Sequence, residues 1–459
     1  MKYYLAIDIG ASSGRHILGC IQNGVLKTEE IYRFKNGTQR KDGHLIWNAE
    51  ELFCEIKNGL KKAKEIGKTP AYIGIDTWAV DYALLDSEDR RIGDVYAYRD
   101  SRTNKSSEAV HRIMPFDELY SRTGIQFQTF NTVYQLYADK LSGKIENAKS
   151  MLMLPDYLNF LLTGVKKQEY TNATSTGLVN AKTHSWDGHI LEILGFNQDL
   201  FGELSQPGTV VGEFSKDIQS ELGYNATVML PATHDTASAV LAAPIDNESP
   251  YISSGTWSLL GIEQRDAHTN LESRRANYSN EGSINYGFRY QKNIMGLWLI
   301  QSVKKELKNF SFETLAQMAA SKENCGIIDV NDSRFLSPKS MIDEIKKAVG
   351  RDLGSAAIMR VIYDSLAKSY ADAIKELERN TGKTYKTLNI IGGGSRDGLL
   401  NQLTARATGK KVITGPTEAT AIGNLVMQMI GTGEIEDLPE ARKIIKRSFP
   451  LGTAEESHQ

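Results

Sequence analysis

The sequence predicts an α/β protein of two domains, and three observations carry that prediction. At 459 residues the chain exceeds what one ordinary hydrophobic core holds, so two domains are expected. The stretch from Ser355 to Gly431 alternates helical and strand patterns around a strand–Gly392-Gly393-Gly394–helix junction. A strand–glycine turn–strand pattern opens the chain and returns at Tyr251–Ile262, which reads either as an internal duplication of one structural unit or as a chance recurrence of a common pattern. The division falls at the Pro244–Pro250 linker, giving an N-terminal domain of residues 1–244 and a C-terminal domain of residues 245–459.

Composition narrows the class. With 41% hydrophobic and 24% charged residues the chain resembles ordinary globular proteins, and no apolar run is long enough to span a bilayer. A formal net charge of -2 gives no electrostatic reason to expect nucleic acid or an anionic membrane as partner. The opening MKYYLAIDIG reaches an acid and a glycine too early for a secretory signal, so a cytoplasmic protein is expected. Cys20, Cys54 and Cys325 show no CxxC spacing and read as small buried hydrophobes in a reducing compartment. There is no HExxH, so a tightly held zinc is not expected.

Taken in order, Tyr3–Ile7 is a strand ending at Asp8-Ile9-Gly10, followed by a turn over Ala11–Arg15. His16–Cys20 resumes the strand, Gln22-Asn23-Gly24 turns, and Val25-Leu26 continues, which is a hairpin series and not a Rossmann strand–helix unit. Ala71–Val80 is a second acid-bearing strand, with Asp76 and Asp81 on either side of Trp78. A loop-rich polar section runs from Tyr98 to Thr132. Pro155–Thr163 is a helix with proline in its first turn and Gly164 past its end. Ala237–Ala243 is helical. Ser355 caps a helix reaching about Arg379, with Ile358, Ile362, Leu366, Tyr370 and Ile374 on one face. Thr387–Ile391 is a buried strand, and Ser395 caps a helix to Thr408. Lys411–Thr414 is a short strand, and Glu418–Ile430 a last helix ended by Gly431.

Two glycine turns are built to approach an anion, Ala11-Ser12-Ser13-Gly14-Arg15 and Ser253-Ser254-Gly255-Thr256. The strand–GGG–helix junction adds free amides and a positive helix end. Neither common phosphate motif fits. Gly382-Lys383-Thr384 ends like a P-loop, but Leu377 stands where its first glycine must be, and Asp397 occupies the last glycine of GxGxxG. Asp8 is placed either to hold magnesium or to cap its turn. Trp78 either stacks on the apolar face of a polyol or is buried between the two acids. His234-Asp235 is the best pair for taking a proton from an acceptor hydroxyl, against the plainer reading of a hydrogen-bonded loop element.

Specific strings then carry a resemblance across nearly the whole chain. In the first half they are DIGASSGR (Asp8–Arg15), GIDTWAVD (Gly74–Asp81), AYRDSRT (Ala97–Thr103), GIQF (Gly124–Phe127), FNT (Phe130–Thr132), MLPDY (Met153–Tyr157) and EYTNATST (Glu169–Thr176). The second half adds HDTASAV (His234–Val240), SSGTWSL (Ser253–Leu259), NEG (Asn280–Gly282), KNIMGLWLIQ (Lys292–Gln301), GGGS (Gly392–Ser395) and LLNQL (Leu399–Leu403). Together they resemble the carbohydrate kinase family that includes glycerol kinase and xylulokinase, within the actin-like ATPase superfamily.

The resemblance implies two actin-like (ribonuclease H-like) domains flanking a catalytic cleft. The first is a sugar-binding and phosphate-turn domain, the second a nucleotide-binding domain. It also implies ATP-dependent phosphorylation of a ketose, with the 1-hydroxyl of L-rhamnulose as acceptor and L-rhamnose catabolism as the setting. Asp235 would be the base, with Ala79, His234 and Thr236 at the sugar. Ala11, Ser12, Ser13, Gly14, Arg15, Thr256, Asn293, Gln301 and Gly394 would meet ATP, and Asp8 would hold Mg2+. Domain closure would exclude water, with Leu230–Gly261 as hinge. Ala79 departs from the family pattern, which has glycine there, so the added methyl bears on ketose preference. Kinases for L-fuculose or D-xylulose are the near alternatives, and a non-catalytic actin-like ATP-binding regulator the distant one. The expected partners are a small sugar and ATP, with the chain a monomer or homodimer.

Overall fold

The computed structural model describes residues 1–245, 249–336 and 338–454. The middle of the expected Pro244–Pro250 linker, residues 246–248, lies outside the described residues. Two compact units emerge. The first holds Met1–Ala242, Glu263–Tyr290 and Thr420–Ser448, and the second Ala243–Ile262, Gln291–Ala419 and Phe449–Gln459. Segments 263–290 and 420–448 thus return to the first unit, and the compact units are not two contiguous halves.

The first unit is built on six strands, β1 (Tyr4–Ile9), β2 (Ser13–Gln22), β3 (Val25–Lys35), β4 (Tyr72–Thr77), β5 (Val210–Glu213) and β6 (Thr227–Met229). They lie in the order β5-β6-β4-β1-β2-β3. The hairpin series expected from the sequence is present: β1, β2 and β3 pair antiparallel in succession. The β2–β3 turn places both Asn23 and Gly24 at positive φ, the two-residue geometry that matches strand twist. β1 is central and parallel to β4, with Asp8 opposite Asp76. All six β1 residues are buried, as in a strand covered on both faces.

Alternation along β1 and β4 sorts the two faces. Leu5, Ile7, Ile73 and Ile75 pack with Leu52, Ile56 and Leu60 of helix α1 (Ala49–Glu65). Each such side chain contributes about 1.5–3 kcal/mol by leaving water. Asn48 caps α1 by accepting from the Glu51 amide. Asp8 and Asp76 therefore point to the opposite, polar face. Helix α2 (Leu154–Thr163) carries Pro155 in its first turn and ends on Gly164 at φ 73°, as expected. Helix α3 spans Asp235–Leu241. The section read as loop-rich instead contains helices Ser106–Ile113 and Phe116–Thr123, with a third beginning at Thr132. The first two have eight residues each, too short for a sequence period to declare itself. Cys54 is exposed, contrary to the reading of all three cysteines as buried.

The second unit repeats the plan with β7 (Tyr251–Ser254), β8 (Trp257–Gln264), β9 (Phe288–Met295), β10 (Thr387–Ile391), β11 (Lys411–Thr414) and β12 (Gly452–Ala454). Their order is β9-β8-β7-β10-β11-β12. Central β7 is antiparallel to β8 and parallel to β10, as β1 is to β2 and β4. β10 is parallel to β11 and the edge strand β12 antiparallel, matching β4, β6 and β5. Six strands of each sheet thus share one topology, that of the actin-like fold, and the second sheet carries a seventh, Ser279–Gly282, at its β9 edge.

Helices α4 (Trp298–Glu306), α5 (Ser355–Thr381) and α6 (Gly398–Thr408) accompany this second sheet. The expected α5 face of Ile358, Ile362, Leu366, Tyr370 and Ile374 is buried. Two expected caps differ. Ser355 is the first helical residue, and Gly354 before it makes no side-chain cap. Ser395 lies within a short 3-10 turn, Gly393–Arg396, whereas Asp397 caps α6 by accepting from the Leu400 amide. Helix α7 (Ala419–Gly431) returns to the polar face of the first sheet. Its Gly423 passes so close to α3 that a methyl there would lie 1.7 Å from the Ser238 carbonyl oxygen.

Candidate active site

On the polar face of the first sheet, two carboxylates sit side by side and a third acts on them. Arg15 donates to Asp8 Oδ2 from Nε at 2.9 Å and Nη2 at 2.7 Å. Asp76 is fully buried, and its Oδ2 accepts from Asn424 Nδ2 of α7 at 2.6 Å. Gln428, one turn on, donates to Asn424 Oδ1 at 2.6 Å and to the Leu5 carbonyl at 3.0 Å. Asp76 Oδ1 has no hydrogen-bond partner among the described residues. Burial, and then the charge of Asp8, hold the Asp76 carboxyl well above the usual range; Asn424 opposes this and Asp235 adds to it.

Asp235 opens α3, where its carboxyl meets the positive end of the helix. Its Oδ1 accepts from the Thr236 amide at 2.6 Å and from Thr236 Oγ1 at 3.2 Å. A third of its side chain is exposed. Burial raises its pKa; His234 opposes the shift and Asp8 reinforces it. His234 is held from behind. Its Nδ1 lies 3.1 Å from Glu281 Oε2 and 3.2 Å from Arg289 Nη2, while its Nε2 lies 3.5 Å from Asp235 Oδ1. A backbone bridge joins His234 to Thr77, and the Thr77 amide donates to the Thr233 carbonyl at 2.9 Å. The end of β4 and the start of α3 are thus one construction.

Beyond β4 the chain makes an uncommon turn. Val80 has φ 71°, and the Asp81 amide donates to the Ala79 carbonyl at 3.0 Å, a γ-turn centred on a β-branched residue. The Val80 carbonyl accepts from Thr132 Oγ1 at 2.7 Å and Gln135 Nε2 at 3.2 Å. Asp81 anchors the rest, accepting from Trp47 Nε1, Trp78 Nε1, the Tyr98 amide and Gln135 Nε2. Burial pushes its pKa up to about 6 against those donors. The Trp78 indole is buried against Trp47, ring centroids 4.1 Å apart. Of the two readings offered for Trp78, the buried one holds. Ala79 is half-buried.

In the first turn, Ala11 and Ser12 are exposed, Ser13 is half-buried, and Gly14 is covered by the Phe34 ring. In the second unit the matching turn is held by α4. The Leu297 amide donates to the Gly255 carbonyl at 2.9 Å and the Trp298 amide to the Thr256 carbonyl at 3.2 Å. Thr256 is exposed, and its Oγ1 donates to Gln301 Oε1 at 3.2 Å. Only glycine fits at 296, where a methyl would lie 2.7 Å from the Gly255 carbonyl oxygen. Asn293 Oδ1 is buried without a hydrogen-bond partner among the described residues. Gly394 is buried against Ser254, whereas Gly393 is exposed.

Sequence reasoning thus named residues that the first unit gathers (Asp8, Arg15, Ala79, His234, Asp235, Thr236) and, in the second unit, Thr256 and Gln301, which a hydrogen bond joins, besides Asn293 and Gly394. It gave no role to Asp76, Glu281, Arg289 or Asn424. The strings GIDTWAVD and NEG contain two of these, but nothing in spacing announces that they meet His234 or Asp8. Among the described residues no three carboxylate, imidazole or thiolate groups converge to cage a metal ion. No helix there is long and apolar enough to cross a membrane.

Two carboxylate-bearing strands, an acid at a helix start and a duplicated sheet define a phosphotransferase of the actin-like class, and comparison places the chain within it. Residues 3–242 match the N-terminal domain, and 250–432 the C-terminal domain, of the FGGY family of carbohydrate kinases, to which the chain belongs. Its relatives include a rhamnulokinase of Oceanobacillus iheyensis, 48% identical over 98% of this chain and 97% of that one. Another, from Bacillus subtilis, is 43% identical over 98% of this chain and 94% of that one. Among solved structures, a ligand-bound xylulose kinase of Lactobacillus acidophilus has a TM-score of 0.84 at 18% identity, covering 99% of this chain and 94% of that one. Plasmodium falciparum glycerol kinase with ADP has a TM-score of 0.79 at 16% identity, over 99% and 94%.

Proposed function

We propose that the chain transfers the γ-phosphoryl group of ATP to the 1-hydroxyl of L-rhamnulose, giving L-rhamnulose 1-phosphate and ADP in L-rhamnose catabolism. The observation that carries this reading is Asp235, a partly exposed carboxylate at a helix start whose proton affinity burial has raised. A base is most effective when its pKa approaches the working pH, so that shift favours proton abstraction. The named relatives supply the acceptor: full-length rhamnulokinases 40–48% identical to the chain.

In this reading Asp235 takes the proton of the 1-hydroxyl as that oxygen attacks phosphorus. His234 and Thr236 contact the sugar, and the backbone at Ala79 approaches it. Ala11, Ser12, Ser13, Gly14 and Arg15 meet the phosphates; Thr256, Asn293, Gln301 and Gly394 meet the nucleotide. Asp8 holds Mg2+, directly or through water, which fits a cation that keeps most of its waters and needs only one or two protein carboxylates. When bound with the nucleotide, Mg2+ offsets the charge spread over the transferring phosphoryl group. Arg15 then exchanges Asp8 for phosphate oxygens.

A panel of L-rhamnulose, L-fuculose and D-xylulose, with ADP formation as readout and phosphorus NMR of the product, tests this. The expected outcome is highest kcat/KM for L-rhamnulose and phosphate at carbon 1. A preference for either other ketose overturns the assignment.

A further inference from the structure

The string EYTNATST contributes nothing to the site described above, yet its first residue holds the chain that leads to Asp235. Glu169 is fully buried. Its Oε1 accepts from the Thr171 amide at 2.7 Å, and its Oε2 from Thr171 Oγ1 at 2.6 Å and the Asn172 amide at 3.1 Å. The same Oε2 accepts from the Thr233 amide at 3.0 Å and from Thr233 Oγ1 at 2.8 Å. The bonds to residues 171 and 172 cap the short helix Tyr170–Thr174. Those to Thr233 cross 64 positions of sequence and serve no helix. Backbone amides only donate, so both carboxylate oxygens are acceptors here whatever the hydroxyls do.

Thr233 is gripped on its other side too. Its carbonyl accepts from the Thr77 amide at 2.9 Å and from Asn172 Nδ2 at 3.4 Å. The amide, hydroxyl and carbonyl of this buried residue are thus all bound, two positions before Asp235. Glu169 is itself fixed, because its amide donates to Asp156 Oδ2 at 3.2 Å, in the first turn of α2. α2 in turn begins where the Leu154 amide donates to the Asp81 carbonyl at 2.9 Å. A continuous set of bonds therefore runs from the Ala79–Asp81 turn, through α2 and Glu169, to Thr233. It fixes the proposed sugar contact relative to the proposed base.

We propose that Glu169 is a positioning residue for phosphoryl transfer: by holding the Thr233 amide and hydroxyl, it places the Asp235 carboxylate against the acceptor oxygen. This rests on the reading of Asp235 as base. A base must lie within hydrogen-bond reach of the proton it takes, and a misplacement of about 1 Å costs on the order of 10²-fold in rate. Glu169→Gln tests the clamp with little change of shape, because the amide has only one acceptor oxygen. With that oxygen at the Oε2 position, the N–H groups face the Thr171 amide; turned round, they face the amides of Asn172 and Thr233. Either way buried donors meet donors, and the loop must shift.

The expected result for Glu169→Gln is a kcat lowered by roughly 10²-fold per folded molecule, with KM for ATP and calorimetric affinity for L-rhamnulose unchanged. A pair of Thr233 variants reads the same clamp without touching the carboxylate. Thr233→Ser keeps both donors and keeps kcat, whereas Thr233→Val loses the hydroxyl and lowers kcat alone, by about tenfold. That comparison needs no Glu169 variant to fold. Normal kcat in folded Glu169→Gln, or equal kcat in Thr233→Ser and Thr233→Val, overturns the proposal. An Asp235→Asn variant with normal turnover would instead overturn the underlying reading, so the two failures are distinguishable.

Discussion

Arg15 on β2 and Asp8 on β1 are Cα partners, and the guanidinium folds back so that Nη2 lies 2.7 Å from Asp8 Oδ2. The cation assigned to phosphate and the carboxylate assigned to magnesium are thus partners of each other. Arg15 is 23% and Asp8 8% exposed at the side chain, so the pair is shielded enough to matter and open enough to exchange. Truncation, Arg15→Met, leaves Asp8 without the guanidinium that donates to its Oδ2 from two nitrogens. Stability should fall by about 1–3 kcal/mol in urea unfolding. KM for ATP should rise by roughly tenfold or more, the loss of a hydrogen bond to a charged group. Unchanged values of both would mean that Arg15 serves neither Asp8 nor the nucleotide.

Asp76 makes a pH prediction with a definite sign. Its folded-state pKa is raised by burial and by Asp8, so the native state holds its proton more tightly than the unfolded chain. Stability from this group is therefore full below the unfolded carboxyl value of about 4 and declines as pH rises toward the folded value. Asp76→Asn keeps an acceptor for Asn424 and removes the titration. In metal-free buffer it should match wild type at low pH, exceed it in stability near pH 7, and lose turnover. A variant less stable than wild type at neutral pH would contradict the raised pKa.

Val80 stores backbone strain at the edge of the proposed sugar contact. A non-glycine residue at φ 71° costs about 1–3 kcal/mol, and here Thr132, Gln135 and Asp81 hold it in place. The comparison that isolates the backbone is Val80→Gly against Val80→Ala, both of which lose the buried side chain. Glycine should be the more stable by about 1 kcal/mol, the reverse of the usual order. Thermal unfolding of the two variants decides it, and alanine ranking above glycine would refute the strain.

At Gly296 the limit is steric. A methyl would meet the backbone at Gly255, Trp257 and Ser258 at 2.7–2.8 Å, so Gly296→Ala must displace the Thr256 turn. Overpacking of this kind costs about 1–3 kcal/mol. Nucleotide affinity measured by calorimetry should fall at least tenfold, while ketose binding stays near normal. Equal ATP affinity would detach this turn from the nucleotide.

Much of this architecture was legible because it is local. The hairpin turn at Asn23-Gly24, the proline and glycine bounding α2, and the apolar face of α5 are written in consecutive residues. The two serines read as helix caps show the limit of that logic. Ser355 and Ser395 have the right chemistry, but Gly354 and Asp397 occupy the capping backbone positions. Trp78 went to the core because Trp47, remote in sequence, packs on an indole whose N–H the neighbouring Asp81 accepts. The support of the candidate site was hidden for the same reason. Asn424 reaches Asp76 from 348 positions away, and Arg289 reaches His234 from 55. Charged and amide side chains in a strand or helix ordinarily read as solvent-facing, and only the return of 263–290 and 420–448 to the first unit buries them.

The central claim is that Asp235 is the base. The direct measurement is steady-state turnover of Asp235→Asn with ATP and L-rhamnulose, alongside calorimetric titration of the ketose. Loss of a general base lowers turnover by about 10²–10⁴. The expected result is a loss of that size with ketose binding retained. Turnover near that of the wild type would contradict the account.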